Sequence, residues 1–314
     1  MSTAAGTVGT ALATETEGGA PLQAVDQRER HHESTYLLML LPAAALFTVF
    51  ITIPAIIGML FSLTNYAGFG SWKFVGLSNF ISLSGDHTIL GSYWFTIYFA
   101  VITTFLVNAI ALLLAVGLNA KIKMKTALRG VFFVPMVLSG IIVAYVFKFL
   151  LGTSIPAIAT SIGWTGGETS LLASEHWAWI GVVLVTAWQA IPGMLIIYLA
   201  GLLSIPGEVY EAASLDGATA AKAFRTITLP LMAGYVIINS VLGLKNFLNA
   251  YDIIVGLTSG GPGTATTSVA MSIFSGFGTG DYAYQMANAV VFFLLTIAIS
   301  LGQLFFMRGR EVNL

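Results

Sequence analysis

The sequence predicts an all-α, polytopic membrane protein with six transmembrane helices and one polar helical segment outside the apolar spans. Three observations carry this reading. Hydrophobic residues make up 57% of the 314 and charged residues only 9%, against about 25% charged in soluble domains. Six apolar runs each exceed the ~20 residues a helix needs to cross ~30 Å of hydrocarbon. Between the fourth and fifth runs lies one stretch, 205–230, that carries Glu208, Glu211, Asp216, Lys222 and Arg225. Backbone groups cannot stay unpaired in lipid, so apolar runs of this length read as helices.

The chain begins with residues 1–34, rich in Ala, Gly, Thr and acids, with no aromatic residue before Tyr36. Such a segment cannot bury enough apolar surface to offset its ordering, and it reads as a disordered tail. It lacks the basic start and apolar core of a signal peptide. Residues 35–314 form the transmembrane domain. The expected spans are Tyr36–Ser62, Tyr93–Leu118, Val131–Leu151, Trp177–Leu203, Leu231–Val255 and Tyr284–Met307. Pro42, Pro54, Pro135 and Pro192 fall inside spans, where each removes a helical hydrogen bond and favours a kink.

Basic residues set the orientation. With the N-terminus cytoplasmic, one side holds Arg28, Arg30, Lys121, Lys123, Lys125, Arg129, Lys222, Arg225, Arg308 and Arg310, ten of the thirteen Lys and Arg residues. The opposite loops hold only Lys73. Positive charge is retained on the cytoplasmic side, so both termini and the 205–230 stretch are expected there. The loops 63–92, 152–176 and 256–283 then face outward. Trp72, Trp94, Trp164, Trp177 and Trp179 suit the membrane interface.

Several function classes are excluded. The chain has no cysteine, hence no disulfide, thiolate metal site or cysteine nucleophile. His31, His32, His87 and His176 have no metal-ligand spacing. No convergent set of nucleophile and base is visible, which argues against an enzyme. No Asp or Glu lies in the middle of a span and no segment repeats, which argues against an ion-coupled carrier. No nucleic-acid partner is expected; the partner implied by composition is the lipid bilayer.

The polar stretch reads as two short helices. Pro206 sits early in a helical turn, where a missing N–H costs little. Glu208 and Glu211 lie near a helix start, where negative charge is favoured. Asp216-Gly217 is a turn signal. Ala218–Ile227 resumes as helix, and Pro230 leads into the fifth span. Ala212, Ala213 and Ala218 are among the small residues that allow another surface to approach closely. The plain alternative is an amphipathic helix lying on the membrane.

Glu211-Ala212-Ala213, three residues, Gly217, nine residues and Ile227-Thr228-Leu229-Pro230 match the E-A-A-x3-G-x9-I-x-L-P signature of bacterial ABC-importer permeases. Phe74–Phe80, Trp188-Gln189-Ala190-Ile191-Pro192, Tyr251-Asp252 and Leu257–Pro262 extend the likeness. From Tyr36 onward the chain resembles the carbohydrate-uptake branch, on the side of the maltose-type or glycerol-phosphate-type first permease subunit. The resemblance implies a type I importer permease in the bacterial cytoplasmic membrane. It implies a coupling helix built from Glu208, Glu211, Ala212, Ala213, Asp216, Gly217, Leu229 and Pro230, docked on a cytoplasmic ATPase. It also implies a second permease subunit forming a heterodimer, two ATP-binding subunits, an extracytoplasmic solute-binding protein and a sugar substrate. No G-x4-G-K-[ST] pattern occurs here, so no cofactor is expected in this chain; ATP and Mg²⁺ are expected on the partner subunits.

A solute path needs polar side chains inside the bundle. Asn239, Gly243, Asn246 and Asn249 recur at helical spacing on the fifth span. Trp188, Gln189 and Gly193 flank Pro192 on the fourth, and Gln285 and Asn288 lie one step apart on the sixth. Amides donate and accept hydrogen bonds, and aromatic rings stack on sugar faces. The alternative for each is interhelical hydrogen bonding. In the maltose relative's pocket a tyrosine stands where this chain has Gly193, so the sugar is left open. Lys245 snorkels outward, pairs with Asp252 or meets an anionic solute such as a glycerol phosphodiester.

Overall fold

The computed structural model describes residues 38–120 and 123–307. The expected tail over 1–34 and the start of the first span lie outside the described residues. Helix α1 is Leu38–Phe61. It widens to a π turn at Thr48–Thr52, just before Pro54. Proline has no N–H to donate and crowds the preceding turn, and the wider turn relieves both. The chain divides into two units, Met1–Ile57 and Gly58–Leu314. All packing given for α2 to α12 is internal to the second.

Helices α2 (Ser78–Gly85) and α3 (His87–Asn119) are separated by Asp86. Its carboxylate accepts from the Thr88 N–H at 2.9 Å and the Ile89 N–H at 3.2 Å, occupying donors that a helix start leaves open. Helix α3 packs most extensively on α6 (Ala178–Ser204). Their joint core holds Phe99, Val107 and Ala111 from α3 with Val182, Leu195 and Tyr198 from α6. The alanines at 100, 111 and 115 are fully buried; small side chains let transmembrane helices approach closely.

Two expected spans are corrected. The third was placed at Val131–Leu151. Instead α4 (Lys125–Val137) stops, Leu138 and Ser139 are extended at ψ 141° and 135°, and α5 runs Gly140–Ser161. Pro135 weakens the last turn of α4, and Ser139-Gly140 combines a residue that favours helix starts with one that costs a helix interior about 1 kcal/mol. The fifth was placed at Leu231–Val255. Instead α8 (Ala220–Leu231) and α9 (Ala233–Leu248) meet at a 64° bend. Tyr251 leaves helical geometry at φ −135°, and α10 (Asp252–Thr258) follows. The Asn249 amide donates to the Lys245 carbonyl at 2.9 Å, satisfying an end carbonyl that further helix would otherwise occupy. Asn249 therefore caps α9 instead of lying on its face.

The first, second, fourth and sixth spans stand close to their expected places, α12 being Tyr282–Met307. The segments read as outer loops contain helix as well. Besides α2 there is α11 (Val269–Thr279), too short to cross a bilayer. The Gly-Thr segment after α10 is a hydrogen-bonded clasp. Thr266 Oγ1 donates to the Gly261 carbonyl at 2.8 Å and Thr267 Oγ1 to the Gly260 carbonyl at 3.1 Å. Ser268 Oγ then donates to the Ala250 carbonyl at 3.1 Å, tying the clasp to the end of α9.

Candidate functional site

The two helix breaks open on one pocket. A concave space of about 400 Å³ is lined by Gly140, Thr186, Gln189, Asn246, Asn249 and Asp252, among others. Gly140 begins α5 after the first break. Asn249 and Asp252 flank the second. Thr186, Gln189 and Asn246 project from α6 and α9. Non-helical backbone at membrane depth is tolerated where it is buried in protein or lines a water-filled cavity, and breaks of this kind build solute sites in transporters.

Gln189 closes the first break. Its Nε2 donates to the Leu138 carbonyl at 2.9 Å, an acceptor left open where α4 ends. A Cβ on Gly140 would stand 3.4 Å from Gln189 Oε1 and 3.7 Å from the Asp252 Cβ, so the three residues converge. One turn before Gln189, Thr186 Oγ1 is buried without a hydrogen-bond partner among the described residues. Such a group is costly unless a water or ligand reaches it. The lining carries amides, a hydroxyl and one carboxylate, Asp252. Lys245 is exposed and does not line the pocket.

The expected path residues divide. Gln189, Asn246 and Asn249 meet in the pocket. Asn239 is fully buried and donates to the Met194 carbonyl at 3.1 Å. Gly243 is also buried, where a Cβ would run into Met194 Cε. These two join α9 to α6 below the pocket. Trp188 lines a separate apolar cavity with Pro135 and Pro192 and packs on Phe147 at a ring separation of 5.2 Å. Gly193 is half-buried with open space where a Cβ would be. Gln285 and Asn288 are buried and serve packing. Asn288 accepts from Tyr93 Oη at 2.9 Å and donates to Gln285 Oε1 at 3.1 Å, and the Gln285 side chain lies over Gly276. Gly140, Thr186 and Asp252 were not singled out as lining residues. The Ser139-Gly140 pair, and a hydroxyl one turn from Gln189, were the available signals.

The polar stretch forms a helical hairpin. Helix α7 (Gly207–Leu215) starts behind Pro206 with Glu208 in its first turn. Gly217 takes φ +71°, a conformation side chains resist. Thr219 then caps α8, its Oγ1 accepting from the Lys222 N–H. The Tyr210 and Thr228 hydroxyls meet at 2.9 Å and pin α7 to α8. Glu208, Glu211, Ala212 and Asp216 are exposed, as are Gly217, Leu229 and Pro230, while Ala213 is half-buried. Leu215 is 89% exposed, an apolar side chain at the tip of a charged hairpin.

Residues 107–310 match the family described as binding-protein-dependent transport system inner membrane component. The chain is 33% identical to a probable starch degradation products transport system permease protein of Thermoanaerobacterium thermosulfurigenes, over 89% of this chain and 96% of that one. It is 32% identical to a trehalose/maltose transport system permease protein of Thermococcus litoralis, over 87% and 94%. A solved bacterial ABC transporter involved in the import of the acidic polysaccharide alginate has a chain with the same fold. The TM-score is 0.79 at 20% identity, covering 90% of this chain and 98% of that one. With most of its length matched on the family and on its members, the chain belongs to the binding-protein-dependent transport system inner membrane components and is a multi-pass membrane permease.

Proposed function

We propose that this chain is one half of the solute path of an ATP-driven oligosaccharide importer, and that the pocket between the two helix breaks is its solute site. The observation that carries this is the convergence of Gln189, Asn246 and Asn249 on backbone that has left helical geometry at two places. Amides and exposed backbone groups match the alternating donors and acceptors of a sugar. Relatives named for starch degradation products and trehalose/maltose support the same solute class. The α7–α8 hairpin is the docking element for a cytoplasmic ATPase, with Glu208 and Glu211 at its charged edge, Leu215 at its tip and Gly217 permitting the turn. Both termini and the hairpin lie on the cytoplasmic side, because basic residues gather there.

A second permease subunit, two ATP-binding subunits that hold ATP and Mg²⁺, and an extracytoplasmic binding protein complete the machine. Closure of the ATPase pair moves the hairpin, and α3, α6 and α9 shift as a packed group to expose the pocket on one side and then the other. The test is reconstitution in lipid vesicles. Uptake of maltooligosaccharides that requires ATP and the binding protein supports the reading. Uptake by this chain alone, without any ATPase, overturns it.

A further inference from the structure

The anionic or neutral character of the solute was left open by Lys245, the basic residue of the fifth span. The structure moves that question to another residue. Lys245 does not line the pocket, and Asp252 does. Asp252 stands at the second break, and its Cβ would be 3.7 Å from a Cβ on Gly140 across the first. Among the described residues no cation lines the pocket, and the remaining polar lining residues are neutral: Thr186, Gln189, Asn246, Asn249 and Tyr251. Asp252 is exposed on the pocket wall, and like charges a few ångströms apart repel there while staying open to screening by salt. A carboxylate also accepts hydrogen bonds from sugar hydroxyls, and these charge-assisted bonds are stronger than neutral ones.

We propose that Asp252 is a specificity-determining residue that makes the pocket select neutral polyhydroxylated solutes and reject anionic ones. This rests on the pocket being the sugar site. A uronate, an aldonate or a phosphate ester entering the pocket brings a second negative charge to Asp252, with no cation among the described lining residues to offset it. A neutral oligosaccharide brings only hydroxyls, for which the carboxylate is an acceptor beside the Gln189 and Asn246 amides.

The experiment is equilibrium binding to the purified full permease–ATPase complex without its binding protein, so that the binding protein's own selectivity does not enter. The probes are maltotriitol and maltotrionate, which share the same two rings and open-chain third unit and differ by one carboxylate. The wild type is expected to bind maltotriitol about tenfold or more tightly than maltotrionate. Asp252→Asn is expected to bring that ratio near one. Raising salt from about 0.02 to about 1 M shortens the screening length to about 3 Å; it should shrink the ratio in the wild type and leave it unchanged in Asp252→Asn. Asn246→Asp, a second acidic group in the same lining, should widen the ratio. Equal affinities in the wild type, or a ratio that Asp252→Asn leaves intact, overturn the proposal while the sugar site stands. Absence of binding by both probes to every variant overturns the sugar site itself, and the proposal with it.

Discussion

The Tyr284 hydroxyl donates to Asp86 Oδ2 at 2.9 Å, joining residues 198 positions apart in the chain. One carboxylate thus caps α3 through Thr88 and Ile89 and ties the start of α3 to the start of α12. Burial alone would raise the carboxyl's pKa. The Ile89 N–H, the Tyr284 hydroxyl and the Thr88 N–H, helped by His87, outweigh it and hold the group below its ordinary value of 3.8.

The pH dependence follows from that direction. A carboxyl whose folded pKa is lowered contributes stability that is fully present above its unfolded value and is lost as pH falls through the folded one. Asp86→Ala should lower stability by about 1 kcal/mol or more near neutral pH. The gap in melting temperature between wild type and variant should close below about pH 4. Tyr284→Phe should keep the cap and lose only the cross-link, giving a smaller effect. A gap that persists unchanged in acid would show that the carboxylate is not the source.

Gly256 lies where α10 meets α5. A Cβ there would stand 2.5 Å from the Ala144 Cβ, and neither atom belongs to a flexible side chain. Gly256→Ala should cost about 1–3 kcal/mol by overpacking. Because α10 begins at Asp252, the same change should displace one wall of the pocket and weaken solute binding. Thermal melting and binding measured on one preparation check both outcomes.

Gln189 should be sensitive to length as well as polarity. Gln189→Leu fills the same space but leaves the solvent-accessible Leu138 carbonyl without its donor, a loss of about 0.5–1.5 kcal/mol. Transport should fall while the complex still assembles. Gln189→Asn, one methylene shorter, should fall short of the carbonyl and behave like the leucine variant. Normal uptake in both variants would mean that the break needs no side-chain donor.

At the hairpin, Gly217→Ala places a side chain at φ +71°, a strain of about 1–2 kcal/mol. Combined with Glu211→Lys, which reverses the charge on α7, it should abolish stimulation of the partner ATPase by binding protein and sugar. Solute binding at the pocket should persist. Retained stimulation would remove the hairpin from the coupling role.

Most of this architecture was legible from residue types alone. Four spans stand close to their expected places because hydrophobicity sums along the chain and needs no partner. The hairpin was legible for a similar reason: Pro206 and Asp216-Gly217 act on their own backbone within a few residues. The third and fifth spans were misplaced because apolar composition continues straight through Leu138 and Tyr251. Pro135 marked a weak point in the third span, and no such mark stood near Tyr251 in the fifth. How the expected path residues divide between pocket and packing was not visible in the sequence. Asn239 and Asn246 are the same residue type on one helix, yet one is sealed against Met194 and the other opens on the pocket.

What the sequence determined by itself is a polytopic helical membrane protein with a charged helical hairpin, because these follow from local composition and local backbone preference, and its likeness to importer permeases, because that rests on a fixed spacing of residues. What only the tertiary structure decided is which residues line the candidate pocket. Whether Gln189 reaches a solute or a carbonyl depends on Leu138, 51 residues away. Whether Asp252 answers Lys245 or faces a pocket depends on where two breaks in separate helices come to rest. Both outcomes are set by packing between distant segments, and spacing along one chain does not encode that distance.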